Sequence, residues 1–201
     1  MNILRSWPLH NEFTIALVDE LPTDIIRAQV KKYLAPEYPM IPRNFGLNEN
    51  GIEKLKNIKA KLKDQFVLRL VVLHKDEIVG WTDGWQDSVE QDSFFMGASL
   101  VLPEYRKQGL YTALVNKVME LSKDEGFQSI WSLHVMTNNP VLIGKLKIGF
   151  HIYGFEVNTR YGALVRLVYH HSETKLKALK FRAGAIGESE ISNELLKSKL
   201  L

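Results

Sequence analysis

Leu100-Val101-Leu102-Pro103-Glu104-Tyr105-Arg106-Lys107-Gln108-Gly109-Leu110-Tyr111-Thr112-Ala113-Leu114 is the stretch on which the reading of the chain turns. Ahead of it, a mostly apolar run from Ser93 to Leu102 stops at Pro103; behind it, apolar positions recur at Leu110, Leu114, Val118 and Leu121. Period two gives way to period 3.6, so the stretch reads strand, turn, helix. The turn aims the backbone N–H groups of Lys107 to Tyr111 and the positive end of the helix dipole at whatever lies ahead. Arg106 and Lys107 add full charges. Such a turn suits a phosphate or diphosphate.

The bulk properties narrow the rest. A chain of 201 residues can bury one substantial core. Its net charge of +3, with acids and bases interspersed, leaves no electrostatic footprint for nucleic acid or an anionic membrane. No long uncharged apolar run and no signal-type segment between Met1 and Phe13 appear, which makes the cytoplasm the expected location. With no cysteine, disulfides, thiolate metal sites and a cysteine-bound acyl intermediate are all excluded.

Taken in order, Phe13 to Val18 reads as a strand, and Thr23 as the N-cap of a helix carrying Ile25, Ile26, Val30 and Leu34 until Pro36 ends it. Ala35 to Asn44, with three prolines, is expected to be a loop covering the core or walling a pocket. Ile52, Leu55, Ile58 and Leu62 mark a second helix whose lysines form a solvated face, since no aromatic residues interleave with them. Strands follow at Phe66–His74, Ile78–Trp85 and Ser93–Leu102; Gly97 is either a bulge or a tolerated strand glycine. The central helix, Leu110–Glu125, stops at Gly126. A fifth strand covers Gln128–Met136, Asn139 caps and Pro140 opens a helix to about Ile148, and Phe150–Thr159 with Ala163–His170 form a closing hairpin. An antiparallel first half followed by a helix-linked parallel pair is α+β or mixed α/β. Neither a dinucleotide fingerprint nor a nucleotide P-loop is present.

Arg106-x-x-Gly109-x-Tyr111, preceded by Val101-x-Pro103, resembles the acyl-CoA signature of the GNAT acetyltransferase superfamily, Arg/Gln-x-x-Gly-x-Gly/Ala after a Val-x-Pro strand end. It departs at Tyr111, where the family carries a small residue. A second stretch, Asn138-Asn139-Pro140-Val141-Leu142-Ile143-Gly144-Lys145-Leu146-Lys147-Ile148-Gly149-Phe150, resembles the family's asparagine-to-Lys-x-Gly-Phe segment. The resemblance implies a GNAT domain over residues 1–171, with a mixed sheet of six to seven strands flanked by helices, and a C-terminal extension over 172–201.

It further implies acetyl-CoA as co-substrate, without a metal. The cofactor would be held by Leu100, Val101, Leu102, Arg106, Lys107, Gln108, Gly109, Leu110 and Tyr111, with Asn138 or Asn139 meeting its peptide-like arm. Backbone N–H groups near Val101 would steady the oxyanion. The family's tyrosine acid is replaced by Lys145, and Phe95 stands near the place of its strand-four glutamate. Releasing a thiol with pKa near 8.5 as thiolate at pH 7 costs only about 2 kcal/mol, whereas deprotonating an alkylamine near 10.4 costs about 4 to 5 kcal/mol. A base therefore matters more than an acid. His134 is the candidate base; Asp83 and Asp92 read as hairpin ends on solvent, Tyr111 and Tyr153 as possible acids, and His170 and His171 as solvent-facing.

The expected activity is direct N-acetyl transfer to a small amine or a protein amino group. The alternative is a silent acyl-CoA-binding or ligand-sensing module. No nucleic-acid or membrane partner is expected; the amphipathic pattern Ile191 to Leu201 suggests a docking tail or a homodimer contact.

Overall fold

The computed structural model describes residues 1–37, 41–42, 44–60 and 65–192. Its strands are β1 (Ile3–Pro8), β2 (Phe13–Val18), β3 (Val67–His74), β4 (Glu77–Gln86), β5 (Ser93–Val101), β6 (Ser129–Val135), β7 (His151–Asn158) and β8 (Gly162–His170). They form one sheet in the order β1-β2-β3-β4-β5-β6-β8-β7. That is eight strands rather than the six to seven expected. The added one is β1, an edge strand that pairs with β2 but buries almost nothing, so no apolar alternation announces it.

The helices are α1 (Thr23–Gln29), α2 (Ala35–Glu37), α3 (Glu49–Ala60), α4 (Leu110–Asp124), α5 (Asn139–Ile148) and α6 (Glu173–Arg182). Two expectations about helix ends are corrected. Thr23 is the first helical residue, and Pro22 precedes it without a side-chain cap. Pro36 does not end the first helical run: a π-helical segment, Val30–Leu34, widens the backbone ahead of it, and the run continues to Glu37. Of the Ala35 to Asn44 loop, Tyr38, Pro39, Met40 and Arg43 lie outside the described residues, as do Leu62 and residues 193–201 of the C-terminal helix reading.

The core is where period and burial agree. α4 turns Leu110, Leu114, Val115, Val118 and Leu121 inward, and β2, β3 and β4 supply Ile15, Ala16, Leu70, Val71, Val72, Val79 and Trp81. Phe66, Phe94 and Phe127 stack where α4 runs out toward β6, with centroids 5.4 to 6.1 Å apart. On the other side of the sheet α1 is tied down by Gln29, which accepts from Trp81 Nε1 at 2.9 Å and donates to the Ile78 carbonyl at 3.2 Å.

β5 and β6 are the parallel pair, and their pairing is short: Ser93↔Ser129, Phe94↔Ile130 and Phe95↔Trp131. Beyond these the strands part, although β5 stays paired with β4 out to Val101 and β6 with β8 out to Val135. A gap therefore opens, with its apex at Met96 and Ser132 and its mouth at Val101 and Val135. The divergence begins at a bulge, where Gly97 and Ala98 of β5 together face Asp83 of β4. Two glycines make it possible. A Cβ on Gly84 would lie 2.5 Å from the Phe94 ring and 2.6 Å from the Phe95 carbonyl, and one on Gly97 would lie 2.9 Å from Trp85. Gly84→Ala should accordingly lower stability by about 2 kcal/mol or more, because a backbone oxygen must move; chemical denaturation would measure it, and a loss near zero would contradict the clash.

Candidate functional site

The turn after β5 is built from backbone. Pro103–Tyr105 forms a single 3₁₀ turn, Lys107 and Gly109 take left-handed conformations at φ 63° and 78°, and Gly109 is the N-cap of α4. The first backbone hydrogen bond of α4 runs from Ala113 N–H to the Gly109 carbonyl, leaving the N–H groups of Leu110, Tyr111 and Thr112 without helical partners. They border a depression of about 180 Å³ lined also by Val101, Tyr105, Arg106, Lys107 and Gly109. Gln108 is not in that lining.

Two side chains are placed differently from the simplest expectation. Arg106 does not stand free in front of the amides: its Nε donates to the Val101 carbonyl at 3.1 Å, and its Nη1 pairs with Glu37 at 3.1 Å. It braces the turn against β5 and the first helical run. The exposed Lys107 is the nearer free charge. Tyr111 packs its ring against the core while bordering the depression, and burial pushes its hydroxyl far above the usual tyrosine range. The ring does not close the space ahead of the turn.

Leu100, Val101 and Leu102 are buried at the mouth, and the Leu102 N–H is committed to the Val79 carbonyl at 2.9 Å. At the end of β6, Asn138 and not Asn139 is the N-cap of α5, since Asn138 Oδ1 accepts from Val141 N–H at 3.4 Å and Asn139 is already helical. Because β5 and β6 run parallel, the turn and the asparagines share the mouth end of the gap.

At the apex lies a group that sequence reading noted only as a replacement. Lys145 of α5 is fully buried. Its Nζ donates to Ser132 Oγ at 2.8 Å and to Met96 Sδ at 3.3 Å, and sits 4.5 Å from the Phe150 ring centroid. Among the described residues no carboxylate pairs with it. Burial alone brings its pKa down to about 7. Ser132 Oγ lies 2.9 Å from His134 Nε2, so Lys145, Ser132 and His134 form one chain of hydrogen bonds. His134 is held neutral, its pKa lowered to about 3 by burial first and by Lys145 second.

The opposite face of the same strands is aromatic. Trp85, Phe95 and Trp131 lie side by side, the first pair edge-on at 4.8 Å and the second tilted at 4.3 Å, and the Arg166 guanidinium lies 3.9 Å over Trp131. Asp83 belongs to this face. It is not a hairpin-end residue on solvent; its Oδ1 accepts from Ala98 N–H at 2.9 Å, and burial raises its pKa. Asp92 does lie at a strand start, ion-paired with Lys175 of α6. The last two histidines are likewise half-buried rather than solvent-facing: His171 Nε2 is 3.1 Å from Ser122 Oγ, and both pKa values are lowered mainly by burial. Ile41 N–H donates to the Arg160 carbonyl at 2.8 Å, tying the proline-rich loop to the β7–β8 hairpin.

A mixed sheet that splays beside a glycine turn at a helix start defines the class of acyl-CoA-dependent N-acyltransferases. The family comparison agrees: residues 28–150 match the acetyltransferase (GNAT) family, and the chain belongs to it. Solved structures share the fold at low identity. The ribosomal-protein-S5-alanine acetyltransferase of Vibrio fischeri superposes with a TM-score of 0.61 at 15% identity, covering 84% of this chain and 98% of its own. A spermidine N-acetyltransferase chimera from Vibrio cholerae and hSSAT gives 0.57 at 16%, covering 80% and 96%. A structure from Salmonella typhimurium with its cofactor acetyl-CoA gives 0.59 at 13%, covering 81% and 96%. No curated protein matches the chain in sequence.

The lysine sets a pH dependence whose sign is fixed. The unfolded chain holds the Lys145 proton up to about 10.5, whereas the folded protein releases it near 7. Between these values the unfolded state binds more protons, so stability rises with pH across that window, and below pH 7 this contribution is flat. The full change is about 5 kcal/mol. Urea melts of wild type and Lys145→Met at pH 7 and pH 9.5 should show the wild type gaining stability with pH and the variant gaining little; parallel curves would contradict a neutral buried amine.

Proposed function

We propose that this protein transfers an acetyl group from acetyl-CoA directly to an amine, with the cofactor anchored at the Arg106–Tyr111 turn and its arm laid between β5 and β6. The gap is the observation that carries this reading. Past Phe95 the β6-facing edge of β5 has no strand partner among the described residues, and buried backbone groups need one. The amide-bearing pantetheine arm has the donors and acceptors such an edge lacks. The unpartnered N–H groups of Leu110, Tyr111 and Thr112 and the charge of Lys107 fit a diphosphate.

The thioester supplies an activated acyl carbon; the chain supplies position, charge and a proton path. Arg106 acts through the turn, holding it to Val101 and Glu37. Asn138, engaged as a helix cap, and the exposed Asn139 border the mouth. Backbone N–H near Val101 steadies the oxyanion. His134 takes part as a neutral relay, since a group lowered to about 3 holds a proton only in passing. The acceptor approaches over the aromatic face beside Trp85 and Phe95, where the half-buried Asp83 and the ring faces suit an ammonium group, the face of Trp131 being taken by Arg166. A small amine or a protein amino group meets these demands, and two of the similar structures carry names of both kinds. The absence of cysteine suits a cytoplasmic enzyme that passes the acyl group without an enzyme-bound intermediate. We place the GNAT domain at residues 1–171, with 172–201 as an appended segment available for a homodimer contact.

The anchor is open to a direct test. Open space surrounds the position a Gly109 Cβ would take, so Gly109→Ala costs the fold only the strain of a left-handed alanine, about 1 kcal/mol. It also puts a methyl group beside the free amides. Calorimetry with acetyl-CoA should show saturable binding by the wild type, weakened about tenfold or more in the variant. No binding by the wild type at millimolar cofactor would end the proposal.

A further inference from the structure

We infer that Lys145, Ser132 and His134 are a single proton wire along one wall of the gap, with Lys145 as its proton store. The inference rests on the acyl-transfer reading for its purpose but on side-chain geometry for its existence. Three observations carry it. Lys145 is fully buried, and its Nζ meets Met96 of β5, Ser132 of β6 and the Phe150 ring that follows its own helix, with His134 of β6 beyond Ser132. Among the described residues no acid pairs with it. Ser132 Oγ stands within hydrogen-bond distance of both nitrogens, at 2.8 and 2.9 Å, and a hydroxyl both donates and accepts, so the chain conducts in either direction.

The stoichiometry of the amine is informative. A neutral lysine has two N–H donors and one lone pair. Ser132 Oγ and Met96 Sδ absorb two donors, which matches the neutral form and leaves a third N–H of the ammonium with only the Phe150 ring. The site thus accepts a proton without committing to it.

The topology gives the wire its ends. The anchoring turn follows the mouth end of β5, and an arm running inward from it finishes at the apex, beside Lys145. His134 lies two residues nearer the mouth on β6. In N-acyl transfer a C–N bond forms and a C–S bond breaks, while the nitrogen loses one proton and the sulfur gains one. The wire serves the leaving group: the charged Lys145 hands a proton to the sulfur and is recharged through Ser132 from His134 at the mouth side, while the proton shed by the acceptor nitrogen on the opposite face passes to solvent. For a neutral amine no net proton is released; an acceptor that arrives as an ammonium sheds one further proton to solvent before it attacks.

The test uses the full chain without cofactor. Lysine labelled with ¹³C at Cε and histidine labelled with ¹⁵N in the ring are followed by NMR over a pH series, the Lys145 signal being assigned by its loss in Lys145→Met. In the wild type, Lys145 should titrate within about one pH unit of 7 and the His134 ring signals should inflect at the same midpoint. In Ser132→Ala, a change of one oxygen whose folding the same spectra report, Lys145 should still titrate but the His134 inflection should vanish. A Lys145 midpoint close to that of ordinary lysines, or a His134 response indifferent to Ser132, overturns the wire. Acetyl-CoA calorimetry is independent: absent binding with an intact NMR coupling would sink the acyl-transfer reading while leaving the wire in place.

Discussion

Two strands that adjoin over three residues and then stand apart are the constraint on which the rest depends. Parallel neighbours in a sheet ordinarily stay paired, because each unpaired buried N–H or C=O loses a hydrogen bond. Here β5 is held by β4 and β6 by β8 along their full lengths, so neither can swing over to close the space. The bulge at Gly97 sets the angle, and Gly84 lets the Phe94 ring lie flat against β4 at the point of divergence. The gap is thus imposed by packing on both sides.

What fills the wall of the gap follows from the same geometry. α5 must start at the mouth, because β6 ends there, and must fold back along the strand it follows. A residue near its middle then meets the apex. That residue is Lys145, whose long stem reaches between Met96 and Phe150 and leaves its nitrogen against Ser132. A carboxylate beside it would have made an ion pair and raised its pKa; none is present among the described residues, so desolvation acts alone. Burial of this kind reduces stability, and it is retained where it leaves an amine able to take up and release a proton near neutral pH.

Much of the scaffold was legible because local and tertiary demands coincide. Pro103, Gly109 and Gly126 bound the central helix as the pattern reads, and Pro140 and Gly149 bound α5. What escaped had no local signature. β1 is nearly all exposed and shows no alternation; the π-helical segment before Pro36 depends on packing rather than on residue type. Asn139, next to Pro140, reads as the cap until the backbone selects Asn138. Asp83 falls within the run Ile78–Trp85 that already reads as a strand, and its partner, the Ala98 N–H, is supplied by a bulge that only the pairing with β5 reveals. Lys145 looks in sequence like one more lysine on a helix that also carries Lys147, and only the placement of α5 across the gap reveals its burial.

The departure at Tyr111 bears on how the two ends of the gap divide their work. A bulky residue one place beyond Leu110 would block the amides if its ring lay across them, yet it packs sideways into the core and serves as a wall of the depression. Its hydroxyl, pushed high by burial, is unsuited to proton exchange at neutral pH, so the anchor end is electrostatically simple: backbone dipoles and Lys107 against a diphosphate. The titratable machinery is confined to the apex and its relay. Remote binding energy from the anchor then fixes the position of the reacting carbon without perturbing the groups that manage its protons. A chain arranged in this way can change its anchor residue by residue, as at Tyr111, while leaving the chemistry at the apex untouched.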